Sequence, residues 1–451
     1  MSPLSPAQSA LGPGLLPLTA EAGPDGLAVG GLLLDDLAEQ YGTPLFVYDE
    51  EHLRRRCREA VAAFGPGNVA YASKAFLCTA MARLAHEEGM LLDVASGGEL
   101  RVALHAEVPP DRIVLHGNNK SDAELRTAMA VGLRHIVVDS FDELDRIERL
   151  HAEEGLPPAR VQLRVAPGVA AGAHAAIQTG GHDSKFGFGL ADGTADAAVL
   201  RATNSPAVVL EGVHAHVGSQ VLNAAELANG AAALARFAVA RGVRRLTVGG
   251  GLGVAYLGGQ SAPSFAAWAE RVHAAVRGAG WTGEVGVEPG RSIAARAGLT
   301  LYRVGTIKDI KDVRTYVSVD GGMSDNMRPA LYGACYEAFL PRCPEAPRPL
   351  RARLVGKHCE SGDVIIDNAA LPADLSVGDL LATPVTGAYG YAMASNYNKL
   401  PRPAVVFVRD GAARLVVRRE TEEDLLRLDV ENGPDDSENL ALVAARRSHA
   451  S

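Results

Sequence analysis

The sequence predicts a (β/α)8 TIM-like barrel, of the α/β class, followed by an antiparallel β domain. Three observations point there. Eight short apolar runs recur between Asn68 and Arg291. Segments whose apolar positions lie three or four apart, as on amphipathic helices, separate the early runs. After Arg291 the texture changes to period-two and β-branched runs divided by Gly, Pro and Asp turns.

The eight runs are "NVAYAS", "LLDVAS", "RIVLHGN", "HIVVDS", "RVQLRVAP", "LEGVHAHVGS", "RLTVGGG" and "EVGVEPG". Near-continuous apolar strands, each followed by a helix, mean a parallel sheet buried on both faces. Eight units in about 225 residues match a closed barrel, whereas a doubly wound sheet commonly uses fewer. The barrel is expected over residues 47–295 and the β domain over 296–431. Residues 26–46 precede the barrel, and "PLFVYD" there is expected to supply a strand to the β domain. Residues 1–25, broken by Pro and Gly, and residues 432–451 read as flexible tails.

The 451 residues are enough for two domains. A net charge of −9, with Lys and Arg scattered, gives no phosphate-tracking face and excludes a nucleic-acid partner. The N-terminus lacks Lys and Arg and is too interrupted for a signal peptide or membrane span. Five cysteines at irregular spacing form no disulfide framework or zinc motif, so the expected setting is reducing and cytoplasmic, with no metal.

In a barrel all strand C-termini meet on one face, where catalytic groups gather. Here those ends carry Lys74, Asp93, Asn118, Ser140, Arg164, His216, Gly249 to Gly253 and Glu288 to Arg291. Lys74 arrives as the strand in "NVAYASKAFL" runs out, and an unpaired buried ammonium would be costly or forced neutral. "GGGLG" fits neither a dinucleotide fingerprint nor a Walker loop. It reads as a tight turn or, placed after strand seven, as a phosphate cradle. In "HAHVGSQ", His214 and His216 point the same way. They suit a core position, a ring stacked on a planar ligand or, less well, a metal. In "EPGR", Glu288 and Arg291 form either a surface ion pair or grips for a ring nitrogen and an anion. Cys359 and Tyr389 read equally as packing residues. Together, a Schiff-base lysine, an anion cradle, a stacking histidine and a carboxylate for a ring nitrogen describe a pyridoxal 5'-phosphate site.

At "YASKA", "DVASGGE", "TGGHDSKFG", "HAHVGSQ", "GGGLG", "EPGR", "MSDNMRPALYGA", "CESGD" and "GAYGYAMASNYN" the chain resembles the β/α-barrel (fold-type III) pyridoxal phosphate decarboxylases. The likeness is greatest to the branch acting on meso-2,6-diaminopimelate. It implies decarboxylation of that compound to L-lysine and CO2, the last step of lysine biosynthesis by this route. It makes Lys74 the Schiff-base lysine, His216 the stacking ring and Glu288 the partner of the pyridine nitrogen. Ser219, Gly250, Gly251, Gly253 and Arg291 would surround the phosphate, and Asp93, Pro289, Gly290 and Tyr389 would complete the cofactor set. Arg291, Arg328, Tyr332 and Tyr389 would bind substrate, the first three at its distal carboxylate, with Glu360 at its distal ammonium. Cys359, the implied proton donor, and Glu360 would come from the partner subunit of a homodimer. Alternatives are a decarboxylase for ornithine, lysine or a carrier-tethered amino acid, a racemase, or a non-catalytic relative. A racemase would place arginine, not Glu288, at the ring nitrogen.

Overall fold

A computed structural model of the chain describes residues 11–12, 14–168, 184–216 and 218–430. The expected tail at 432–451 and the first five residues of "TGGHDSKFG" lie outside them. Eight parallel strands follow one another around the barrel: Ala70–Ala72, Leu91–Val94, Ile113–Leu115, His135–Val138, Ala159–Ala166, Val208–Ala215, Arg245–Val248 and Val285–Gly286. Each overlaps one of the eight apolar runs, the fifth and sixth strands beginning one and two residues before theirs. The ring closes where Val69 bridges Val287 in parallel, with Ala70 N–H donating to Val287 O at 2.9 Å and Val287 N–H to Asn68 O at 2.8 Å. Closure removes the exposed edges an open sheet would carry.

Local chemistry starts the helices. Ser121 and Glu124 form a reciprocal capping box at Asp122–Val131, and Gly132 ends that helix at φ +70°. Ser96, Ser140 and Ser264 cap three others through their side chains. Ser140, expected among the polar strand ends, is therefore a helix cap.

The second domain is built on Leu45–Asp49, which lies between Gly298–Ile310 and Ala404–Arg409. Most pairs in its sheet are antiparallel, but two are parallel: Leu45–Asp49 with Ala404–Arg409, and Arg314–Val319 with Leu350–Val355. The expected antiparallel domain is therefore present with two parallel pairings in it, because alternation of apolar residues specifies a face and not a pairing direction.

Within the described part of residues 1–25, expected as a flexible tail, the chain is docked. Leu15 is buried, and Thr19 donates to the Asp49 carboxylate through both its N–H (2.8 Å) and its hydroxyl (2.9 Å). Leu18 N–H donates to His52 Nδ1 at 3.1 Å. One apolar anchor and three hydrogen bonds fasten a segment that its prolines and glycines made look loose.

The domain junction sets the position of Lys74. Tyr48, from Leu45–Asp49, stacks on Phe76 with centroids 4.2 Å apart, and both rings are fully buried. Such pairs contribute roughly 0.5–1.5 kcal/mol beyond their buried area. Tyr71 hydroxyl donates to Phe76 O (2.7 Å), and Tyr389 N–H donates to Ala75 O (2.7 Å). The single turn Ser73–Ala75, which carries Lys74, is thus held by both domains.

Candidate active site

A cavity of about 800 Å³ opens at the C-terminal mouth of the barrel, roofed by the second domain. Barrel strand ends bring Lys74, Asp93, His216, Ser219, Gly251, Glu288, Gly290 and Arg291 to its wall. The second domain adds Arg328, Tyr332 and Tyr389. Lys74 is exposed to the cavity space, directly beyond the buried strand Ala70–Ala72.

Glu288 sits between two imidazoles. His116 Nε2 lies 2.8 Å from Oε1, and His214 Nε2 lies 2.9 Å from Oε2. Burial alone would raise the Glu288 carboxyl, but His116 and then His214 hold it well below the usual carboxylate range. Burial would likewise lower His116; Asp93, 3.7 Å away, and Glu288 carry it above the ordinary imidazole value. Burial pushes His214 down and raises Asp93 to about 6. This pattern fits a protonated His116, an ionised Glu288 and a neutral His214 donating from Nε2. His214 Nδ1 then has no hydrogen-bond partner among the described residues, as a neutral ring permits.

His216 is pushed well below its ordinary value, first by burial and then by the Lys74 charge, and so presents a neutral flat ring. The glycine turn packs against it. A Cβ on Gly249 would lie 2.6 Å from His216 Nδ1, one on Gly250 2.3 Å from Glu288 O, and one on Gly251 2.5 Å from Gly218 O. A side chain at Gly250 would force strand seven's turn away from strand eight, and one at Gly249 or Gly251 away from the end of strand six and the loop after it. Gly250 N–H points to His216 Nδ1 at 3.3 Å, and Gly253 N–H is taken by Val221 O at 2.9 Å. Gly250, Gly253 and Pro289 therefore shape the turn behind the wall, and only Gly251 of the triplet reaches the cavity. The anion-binding chemistry at that end rests more on Arg291, which donates to Ser219 Oγ at 3.2 Å.

The residues present fit pyridoxal phosphate: an amine for its aldehyde, a guanidinium and a hydroxyl for its phosphate, and an ionised buried carboxylate for its ring nitrogen. Residues 50–295 match the family model for the pyridoxal-binding domain of the pyridoxal-dependent decarboxylases. The chain belongs to this family. Membership in the pyridoxal-dependent decarboxylases carries pyridoxal phosphate as cofactor. The chain is 48% identical over 426 residues to a diaminopimelate decarboxylase of Mycobacterium bovis, covering 90% of this chain and 95% of the relative. It is 45% identical over 419 residues to one of Bacillus subtilis, with the same coverage. Among solved structures, the diaminopimelate decarboxylase of M. jannaschii in complex with L-lysine aligns with a TM-score of 0.85 at 32% identity, over 92% of this chain and 98% of that one.

Two further expected residues stay out of this decarboxylase's own cavity. Cys359 and Glu360 are exposed on the second domain. Their turn is firmly built: the Asp363 carboxylate accepts from Met323 N–H (2.7 Å) and His358 N–H (2.9 Å), and Tyr397 hydroxyl donates to Glu360. The His358 ring bonds Ser324 Oγ at 2.8 Å and stacks on Tyr397.

Four residues in or beside the site were not singled out in the sequence. His116 hides in "RIVLHGN", Tyr256 follows the glycine turn, and Tyr336 lies in "GACYEAFL". Asp139 accepts Gly187 N–H at 2.5 Å beside Arg164, whose guanidinium lies 4.1 Å over Phe186 at the cavity wall. The one available hint was that His116 and Asp139 both stand at strand ends.

Proposed function

We propose that this chain decarboxylates meso-2,6-diaminopimelate to L-lysine and CO2, the closing step of lysine biosynthesis by the diaminopimelate route. One observation carries the substrate reading. Arg291 and Arg328 both face the cavity that holds Lys74, and among the described residues neither has a carboxylate partner; each donates to a tyrosine hydroxyl instead. Two unneutralised guanidiniums beside a reactive amine call for an anion remote from the reacting carbon. Diaminopimelate has that distal carboxylate, whereas ornithine and lysine do not. The near relatives that bear the name diaminopimelate decarboxylase support the same choice.

Pyridoxal phosphate, once bound, supplies an electron sink for the carbon that loses CO2. Lys74 Nζ would hold it through its aldehyde. Glu288, kept ionised by His116 and His214, holds a proton on the ring nitrogen. His216 supports the ring face, and Arg291 with Ser219 grips the phosphate. Arg328 and Tyr332, with Arg291, orient the substrate's distal carboxylate, so that the carboxyl at the D-configured centre is the one released. Cys359 delivers a proton to the carbon left behind, and Glu360 reads the distal ammonium. Both residues face away from their own cavity, which supports their serving a second copy of the chain in a homodimer. Among the described residues no helix is long and apolar enough to cross a membrane, in keeping with a cytoplasmic setting.

The test is turnover by the purified, cofactor-loaded protein. CO2 and L-lysine should form from meso-diaminopimelate, with lysine and ornithine turned over by a factor on the order of 10⁴ less well. Cadaverine or putrescine as the main product, with diaminopimelate untouched, would reverse the assignment.

A further inference from the structure

Tyr256 stands between the two guanidiniums. Its hydroxyl accepts from Arg291 at 2.7 Å, while the Arg328 guanidinium lies 4.6 Å over its ring. Arg328 in turn donates to the hydroxyl of Tyr336. Tyr336 meets Tyr256 edge-to-face, with centroids 5.4 Å apart and planes at 86°. Both tyrosines are buried, Tyr336 to 3% exposure and Tyr256 to 7%. The arrangement spans the domain junction: Tyr256 and Arg291 belong to the barrel, Arg328 and Tyr336 to the second domain.

The chemistry of this brace is specific. A carboxylate in either tyrosine's place would hold an arginine equally well but would neutralise it and compete with a substrate anion. A phenol holds a guanidinium through a neutral hydrogen bond and a ring face, leaving its charge available. Burial pushes the Tyr336 hydroxyl up, so it stays neutral while it accepts.

We infer that Tyr256 and Tyr336 are positioning residues that fix the spacing of Arg291 and Arg328 for a substrate's distal carboxylate, and so help set specificity. The inference rests on the diaminopimelate reading above. Decarboxylation at one end leaves the other end intact, so the product L-lysine still carries the carboxylate that the arginines bind. Cadaverine carries none.

Tyr336→Phe and Tyr256→Phe, each loaded with cofactor, test it. Each should raise the KM for meso-diaminopimelate about tenfold while kcat stays within about threefold, the mark of lost uniform binding. The inhibition constant of L-lysine should rise in parallel, and that of cadaverine should not move. Retained cofactor absorbance and an unchanged cadaverine constant show that the fold is intact. An unchanged KM in both variants, or equal shifts for lysine and cadaverine, overturns the brace. If the wild-type protein neither turns over diaminopimelate nor binds L-lysine, the substrate reading itself has failed.

Discussion

Glu288 Oε1 lies 2.8 Å from His116 Nε2, joining the ends of barrel strands three and eight across the mouth. With His214 on the other oxygen, the carboxylate is ionised and fixed before any ligand arrives. Burial by itself pushes such an acid upward, and it raises Asp93 nearby to about 6 even with His116 beside it.

This pairing predicts two graded losses. Glu288→Gln keeps the shape and removes the charge, so kcat should drop by at least about 10²-fold while the cofactor absorbance persists. His116→Ala releases only one oxygen. The Glu288 carboxyl should then rise toward its ordinary range, and because activity needs it ionised, the acid limb of the kcat profile should move to higher pH. A profile that does not move would separate His116 from the function of Glu288.

The docked N-terminal segment predicts an acid sensitivity. Burial, and then nearby arginines, lower His52 from 6.5 to about 3 in the folded chain, where its neutral Nδ1 accepts from Leu18 N–H. As pH falls below 6.5, the unfolded chain binds a proton that the folded chain cannot, so stability is lost progressively down to about pH 3. At about pH 5 the loss from this one group is roughly 2 kcal/mol. His52→Gln retains an acceptor but does not titrate, so its urea midpoint should fall less than the parent's between about pH 7.5 and pH 5.

The outward display of Cys359 and Glu360 predicts complementation. Lys74→Ala and Cys359→Ala should each be nearly inactive alone. Mixed and allowed to exchange subunits, they should regain roughly a quarter of the parent activity, because in the proposed homodimer half the dimers would be mixed and each of those would have one intact site. A mixture that stays inactive would place both residues in the same chain's site.

Much of this arrangement can be read from residue order. Each barrel strand announces itself as an apolar run, and Lys74 stands where such a run ends. Strand-end geometry then gathers Lys74, Asp93, His216, Glu288 and Arg291 without knowledge of any contact. His116 escapes because its partner is 172 residues away and only closure of the ring brings them together. Tyr256 and Tyr336 look like ordinary core aromatics until the domain junction places them beside two arginines. The segment before Thr19 misleads for a different reason: Pro and Gly suggest looseness, but one leucine and a few hydrogen bonds decide otherwise. Cys359 is visible as a motif, yet a single chain shows only that it faces outward.

The most direct measurement is reduction of the cofactor-loaded protein with borohydride, followed by peptide mass mapping. A pyridoxyl group on Lys74, and its absence from Lys74→Ala, is the result expected. A label on Lys185, the other lysine at the cavity wall, or no covalent label at all, would contradict the account.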